Sequence, residues 1–218
     1  LEFVVRNILP VAGNENTLSI LDAYCSKKLV DDDVFRILNF ACACKDSKTA
    51  VGALDCLKRG NQYVLVPSKT VIAMLSERDL TASDKISILD KLFEFKVEAK
   101  SVEAVMTNYL CFNQDPVATR KEVILYLLDK SPQLPTSTVQ NYVLKCAVDG
   151  NEKPAIVKAI FDKGLNTSFF NELLSKYMNS STDSNEVKAE ITDILSGGGL
   201  KIDPSSFIEY ICGTQADV

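Results

Sequence analysis

The sequence predicts an all-α fold, an α-α superhelix (solenoid) of about six helix-turn-helix repeats of about 34 residues each. Three observations lead to this prediction. Similar segments recur at a nearly constant interval, and their apolar residues follow helical spacing. Residue types that start and end helices stand between the segments.

One set of recurring segments, called here the B segments, aligns without gaps over seven positions. Its members are SILDAYC from Ser19, GALDCLK from Gly52, SILDKLF from Ser87, VILYLLD from Val123, AIVKAIF from Ala155 and EITDILS from Glu190. Their second residues are 33, 35, 36, 32 and 35 positions apart, a spacing typical of stacked supersecondary units. Within each segment the apolar residues form a stripe on one helix face. Each B segment is therefore predicted to be helical.

A second set, the A segments, alternates with the first. Its members are VFRILNFACAC from Val34, TVIAMLSERD from Thr70, SVEAVMTNYL from Ser101, TVQNYVLKCA from Thr138, SFFNELLSKY from Ser168 and SFIEYICG from Ser206. Five open with Ser or Thr, which we expect to cap the helix, and the sixth follows the acidic run 31–33. The glycines at 60, 150, 164 and 197–199 are predicted to end helices, and Pro67, Pro135 and Pro204 stand ahead of the next start.

Stacking is required because two short helices cannot bury their apolar stripes alone, whereas hairpins placed side by side close a continuous core. We therefore expect residues 1–218 to form a single α-solenoid domain. The apolar opening from Leu1 to Ala12 resembles the second half of a hairpin, so the chain is predicted to be a segment of a longer repeat array.

The composition argues against catalysis, metal binding and membrane insertion. The chain has no His, which removes the usual general base and most zinc sites. We expect no catalytic residue, no metal, no cofactor and no small-molecule substrate. The close pair Cys42 and Cys44 points in different directions on a helix, and the seven cysteines fit core packing in a reducing, intracellular compartment. No apolar run approaches the roughly 20 residues that cross a bilayer, so no membrane contact is expected.

Two junctions, GLNTSFFNELLSKY from Gly164 and GLKIDPSSFIEYI from Gly199, resemble those of the pentatricopeptide-repeat family. The stretch STVQNYVLKCAVDGNEKPAIVKAIF, residues 137–161, is similar to a whole repeat of that family. The resemblance covers the periodic length loosely and residues 137–210 better. It implies sequence-selective binding of single-stranded RNA in organelles such as mitochondria, with one base read per repeat near the start of the first helix.

The positions aligned with base-reading side chains are Asn141 and Asn171, with Arg36, Ala73, Ala104 and Glu209 at the same place in other repeats. Asn141, Asn171 and Arg36 are the candidate RNA-binding residues. Only the first two carry the expected amide, and the net charge of −5 provides no diffuse attraction for phosphate. The alternative is a protein-interaction scaffold or adaptor that binds a partner chain and no nucleic acid.

Overall fold

The computed structural model describes residues 14–62, 65–95, 99–112, 114–130, 136–146, 149–163, 173–174, 176–178 and 182–197. The described chain is helical. Its longer helices, numbered in chain order, are α1 (Asn14–Cys25), α2 (Asp31–Ala43), α3 (Ser47–Arg59), α4 (Ser68–Leu75), α5 (Ala82–Phe93), α6 (Ala99–Phe112), α7 (Val117–Lys130), α8 (Thr136–Lys145), α9 (Lys153–Asp162) and α10 (Asn185–Gly197). Among the described residues, no helix has the length and apolar character needed to span a membrane.

The predicted all-α class is confirmed. All six B segments lie in helices, namely α1, α3, α5, α7, α9 and α10, which are called here the B-helices. Four A segments lie wholly or mostly in α2, α4, α6 and α8, the A-helices. The segment from Thr70 is the one that departs most from the prediction, because α4 ends at Leu75 and residues 76–79 are not helical. The A segment from Ser168 is helical at 173–174 and 176–178, and the one from Ser206 lies outside the described residues.

The predicted helix starts are wrong by about one turn or less in the A-helices. Thr70 and Thr138 lie inside α4 and α8, where both are buried, and α4 has Pro67 at its N-cap with no side-chain cap. Thr70 instead donates its hydroxyl hydrogen bond to the Asn39 side chain of α2. Side-chain caps are present at the B-helices α3 and α5, where Asp46 and Thr81 accept from backbone N–H groups of the first turn.

Three of the predicted helix-ending glycines are described, at positions 60, 150 and 197, and each stands at a helix boundary; those at 164, 198 and 199 lie outside the described residues. Gly197 is the last residue of α10. Gly60 is the C-cap of α3, but its φ of −75° is open to any residue. Gly150 has the left-handed φ of 46° that favours glycine, and it opens a short 3-10 helix before α9.

The chain divides into two compact units, residues 1–109 with 113–115 and residues 110–112 with 116–218. In the first unit, α3 packs against α1, α2 and α5, and α4 packs against α2 and α5. The B-helices α1, α3 and α5 therefore lie side by side. In the second unit, α9 packs between α7 and α10. In each unit the apolar stripes of the B segments are buried, as Leu54, Ile88, Ile124 and Ile156 illustrate, and the core includes residues of the A-helices as well, such as Ile37 and Val143.

Polar contacts between neighbouring hairpins join residues about one period apart. In the first unit, Arg59 pairs with Asp22 at 2.7 Å and Lys45 pairs with Asp79 at 2.6 Å. The buried Gln62 side chain donates to the Lys27 carbonyl at 3.0 Å. These pairs are 37, 34 and 35 residues apart in sequence, which is the interval that the B segments predict.

Gly52 of α3 and Gly60 at its C-cap allow α1 to pack closely against α3. The two positions differ in the atoms that an added Cβ atom would contact. At Gly60, a Cβ atom would clash with the Cys25 carbonyl oxygen and lie 2.9 Å from its carbon, both backbone atoms. At Gly52, it would lie 2.7 Å from the δ carbons of Leu18, which end a flexible side chain.

We expect Gly60→Ala to lower the free energy of unfolding by about 1–3 kcal/mol, because backbone atoms must move. Gly52→Ala is expected to change it by less than about 1 kcal/mol, because the helix propensity gained by alanine offsets the shift of Leu18. Urea unfolding followed by circular dichroism measures both. Equal losses in the two variants would contradict this account of α1 packing.

Candidate functional site

The predicted base-reading positions lie on the A-helices, and the structure describes four of the six. Ala73 on α4 and Ala104 on α6 are exposed, as is Asn141 on α8 in the second unit. Arg36 on α2 is partly exposed, and its guanidinium pairs with Asp33 at 3.0 Å. Asn171 and Glu209 lie outside the described residues. Among the four described base-reading positions, Asn141 is therefore the one that presents an amide to solvent.

Many cations are neutralised within the chain. At least ten of the 24 Lys and Arg side chains form ion pairs with carboxylates of the described residues: Arg36, Lys45, Lys58, Arg59, Lys85, Lys91, Arg120, Lys153, Lys158 and Lys163. A cation that already has a carboxylate partner is less available for a phosphate group. These pairs reduce the number of cations that are readily available for nucleic-acid binding, in which phosphate contacts dominate affinity.

Three of these ion pairs are buried and share one design, a cation, an aspartate and a tyrosine hydroxyl. In the first unit, the Lys85 ammonium of α5 pairs with the Asp115 carboxylate in the loop after α6. Tyr109 of α6 donates its hydroxyl to the same carboxylate oxygen at 2.6 Å. The Lys85 ammonium also donates to the Leu75 carbonyl at the end of α4, at 2.7 Å. One cluster thus ties together α4, α5, α6 and the loop after α6.

The second unit repeats this arrangement. Arg120 of α7 pairs with Asp149, the residue just before the left-handed Gly150, and Tyr142 of α8 donates its hydroxyl to the same carboxylate oxygen. Burial, followed by the hydrogen bond to Asp149, raises the pKa of Tyr142, so its hydroxyl stays protonated and remains a donor. The cluster holds the segment after α8 against α7.

A third cluster lies at the start of α9. The Lys153 ammonium pairs with Asp183 at 2.6 Å, and Tyr177 donates its hydroxyl to the same carboxylate oxygen at 2.8 Å. The ammonium also lies 5.6 Å from the centre of the Tyr177 ring, within the range of a cation–π interaction. In each cluster the carboxylate is neutralised and hydrogen-bonded, which is the condition for burying a charge.

Sequence reasoning missed these cation–Asp–Tyr clusters, although the sequence contains a signal for them. Their members recur at the repeat period: Lys85, Arg120 and Lys153; Tyr109, Tyr142 and Tyr177; Asp115, Asp149 and Asp183. The aspartates are 34 and 34 residues apart. The same residue types occur once more at Lys188, Tyr210 and Asp217, of which the last two lie outside the described residues.

The six described cysteines are buried or half-buried. Cys25, Cys42, Cys56 and Cys146 are buried, and Cys44 and Cys111 are half-buried. Burial raises the pKa of Cys42 to about 12 and that of Cys44 to about 11, so both are thiols at neutral pH, and thiols are poor nucleophiles and metal ligands. Within the described part of the chain, no group of three or more Cys, Asp or Glu side chains is placed to hold a metal ion.

A cleft of about 830 Å³ opens on the surface of the second unit, over α9 and between α7 and α10. Its floor contains the small residues Pro154, Ala155 and Ala159 of α9, and its apolar walls are Leu125 of α7 and Ile194 of α10. Its charged residues are Lys121 of α7, Glu190 and Asp193 of α10, and Lys158, Asp162 and Lys163 from α9 and its end. Phe161 of α9 completes the lining, and the cleft is called here the α9 cleft.

Comparisons with protein-family models, with curated proteins and with solved structures found no match.

Two Asp→Asn substitutions, one in a buried cluster and one in an exposed ion pair, are expected to differ greatly in how much they lower the free energy of unfolding. Asp149→Asn leaves the Arg120 guanidinium buried without a counter-charge, and we expect a loss of about 3–5 kcal/mol in the free energy of unfolding. Asp162→Asn removes the carboxylate of an exposed i, i+4 pair with Lys158, and we expect a loss below about 1 kcal/mol.

Chemical denaturation measures both values. Replacing all three members, as in Arg120→Met with Asp149→Leu and Tyr142→Phe, is expected to recover most of the stability lost in Asp149→Asn, because neither a buried charge nor an unpaired buried hydroxyl remains. Asp149→Asn and Asp162→Asn variants of equal stability would show that the cluster does not stabilise the fold.

Proposed function

We propose that the chain is a non-catalytic helical-repeat scaffold, a solenoid of about six hairpins, and that its ligand is a protein. The observation that carries the proposal is the α9 cleft, an open site that combines apolar residues with charged residues from all three of its helices. Clefts that combine apolar surface with a few polar groups are the usual form of binding sites.

The repeat arrangement supports the scaffold. The B-helices pack side by side within each unit, and the cation–Asp–Tyr clusters recur at the period of the B segments. Neighbour-to-neighbour packing of this kind extends a surface without requiring a single central core. The absence of His in the sequence favours binding over catalysis.

The distribution of charge favours a protein over RNA as the ligand. In the first unit, the cations Lys45, Lys58, Arg59 and Lys91 pair with carboxylates of neighbouring hairpins. Two of the positions aligned with base readers, Ala73 and Ala104, have no side-chain hydrogen-bonding group. A protein ligand needs neither a row of free cations nor a row of amides.

The proposal predicts that blocking the cleft removes a protein partner. Ala155 is exposed on the cleft floor, so Ala155→Arg fills the cleft without disturbing the core. Ala104→Arg makes the same change on an A-helix of the other unit and is the matched control. Affinity capture from an extract of the source organism, with cross-linking and mass spectrometry, identifies proteins that contact the cleft.

We expect at least one protein that the parent chain and the Ala104→Arg variant both capture. The amount captured by the Ala155→Arg variant should be at least about tenfold lower, because interface centres tolerate little added volume. Capture that Ala155→Arg leaves unchanged, or no specific capture by the parent chain, would contradict a protein ligand in the cleft. Circular dichroism verifies that both variants are folded.

Single-stranded RNA is the second candidate, and the exposed amide of Asn141 is the observation that favours it. Polar side chains at a repeated position can read successive bases by hydrogen bonding. With the pentatricopeptide resemblance, this candidate places the chain in organellar RNA metabolism, including that of mitochondria.

The RNA candidate predicts selective binding of a few sequences from a random single-stranded pool. The double variant Asn141→Ala, Asn171→Ala is expected to lose about tenfold in affinity for them, the order of magnitude of one well-placed base contact. Ser137→Ala, an exposed hydroxyl on α8, is the control and should bind as the parent does. Absence of binding at both low and high salt would exclude this candidate, because phosphate contacts strengthen as salt falls.

A further inference from the structure

We propose that the α9 cleft binds an amphipathic helix of a partner protein, about three turns long, with an acidic flank facing α7 and a basic flank facing α10. This inference rests on the proposed protein ligand and specifies its chemistry. It follows from the shape of the cleft, from the backbone of its walls and from the charges at its two sides.

The shape fits an element that lies along α9. Seven of the twelve residues that line the cleft come from the stretch 154–163, and the helices α7 and α10 form its sides. Ala155 and Ala159 are one helical turn apart, so short side chains line the middle of the cleft floor along the α9 axis. At 1.5 Å per residue this stretch is about 14 Å long, which corresponds to about three turns of a partner helix.

The helical backbone of the elements that form the cleft favours a helix as the occupant. All three elements that form the cleft are helices, whose central N–H and C=O groups are bonded within the helix. The cleft therefore offers no strand edge to which an extended peptide could add. A partner helix satisfies its own backbone groups and can place an apolar stripe on Ala155, Ala159, Leu125 and Ile194.

The charges at the two sides specify the flanks of that helix. Lys121 on the α7 side is exposed and has no ion pair with the described residues, and the same holds for Glu190 and Asp193 on the α10 side. The other charged lining residues are neutralised within the chain, Lys158 by Asp162 and Lys163 by Asp129. A complementary partner therefore carries carboxylates toward α7 and cations toward α10.

Synthetic peptides with one fixed apolar stripe test this chemistry. Four versions carry one acidic and one basic flank, two acidic flanks, two basic flanks, or two glutamine flanks. Fluorescence anisotropy measures their affinity for the full chain at low and high salt. We expect the mixed version to bind at least about twofold more tightly than each of the others at low salt, with the advantage decreasing as salt rises.

Charge reversal in the chain provides the matched control. Lys121→Glu is expected to weaken the mixed peptide about two- to fivefold, because it replaces an attraction by a repulsion at the rim. Lys145→Glu makes the same change on α8, outside the cleft, and should leave the affinity unchanged within about 1.5-fold. Ala155→Arg should abolish binding of every version.

The outcomes separate this inference from the proposed function. Cleft-dependent capture of a protein, together with equal binding or no binding of the four peptides, would overturn the inference and leave the proposed function standing. Loss of cleft-dependent capture would overturn both. A sedimentation experiment in which the chain forms a dimer that Ala155→Arg dissociates, or an RNA pool whose binding Ala155→Arg abolishes, would assign the cleft a different occupant and overturn the inference as well.

Discussion

Burial of an aspartate is the constraint on which much of the described fold depends. Each buried carboxylate has two partners at once, a cation from a B-helix and a tyrosine hydroxyl from the A segment that follows. A carboxylate in an apolar interior is stable only if its charge is neutralised and its oxygens are hydrogen-bonded. A shift of one hairpin relative to the next would break both contacts, whereas an apolar contact tolerates small shifts. The clusters therefore specify how successive hairpins join, and the apolar stripes supply most of the driving force.

The sequence predicted the helices well because their signal is local. Apolar residues at helical spacing located all six B-helices, and the period between them matches the separation of the cross-hairpin contacts. Helix starts were less predictable. Thr70 has the residue type of a cap, but burial against α2 gives its hydroxyl a different partner, Asn39. The cap signal in a sequence does not distinguish a threonine before a helix from one inside its first turn, because the distinction depends on a neighbouring helix.

The candidate sites were less predictable than the fold. Lys85, Arg120 and Lys153 stand beside apolar stripes, where a cation in sequence is read as solvent-exposed, and their partners are about 30 residues away. The sequence indicates their burial only when charged and aromatic residues, as well as apolar ones, are compared at the repeat period. The α9 cleft has no sequence signal of its own. It combines residues of α7, α9 and α10, and that juxtaposition requires the packed structure.

The pairing of charges within the fold also bears on which ligand the chain binds. Cations that pair with neighbouring hairpins or inside the clusters join the hairpins and are less available to a phosphate backbone. In the α9 cleft the balance differs, because Lys121 on one side and Glu190 and Asp193 on the other have no ion pair with the described residues. Opposite charges on the two sides of one apolar floor match a partner with two differently charged flanks, and no uniformly charged polymer satisfies both sides. Single-stranded RNA is such a polymer, so its binding would depend on the A-helices and on Asn141, at a surface distinct from the cleft.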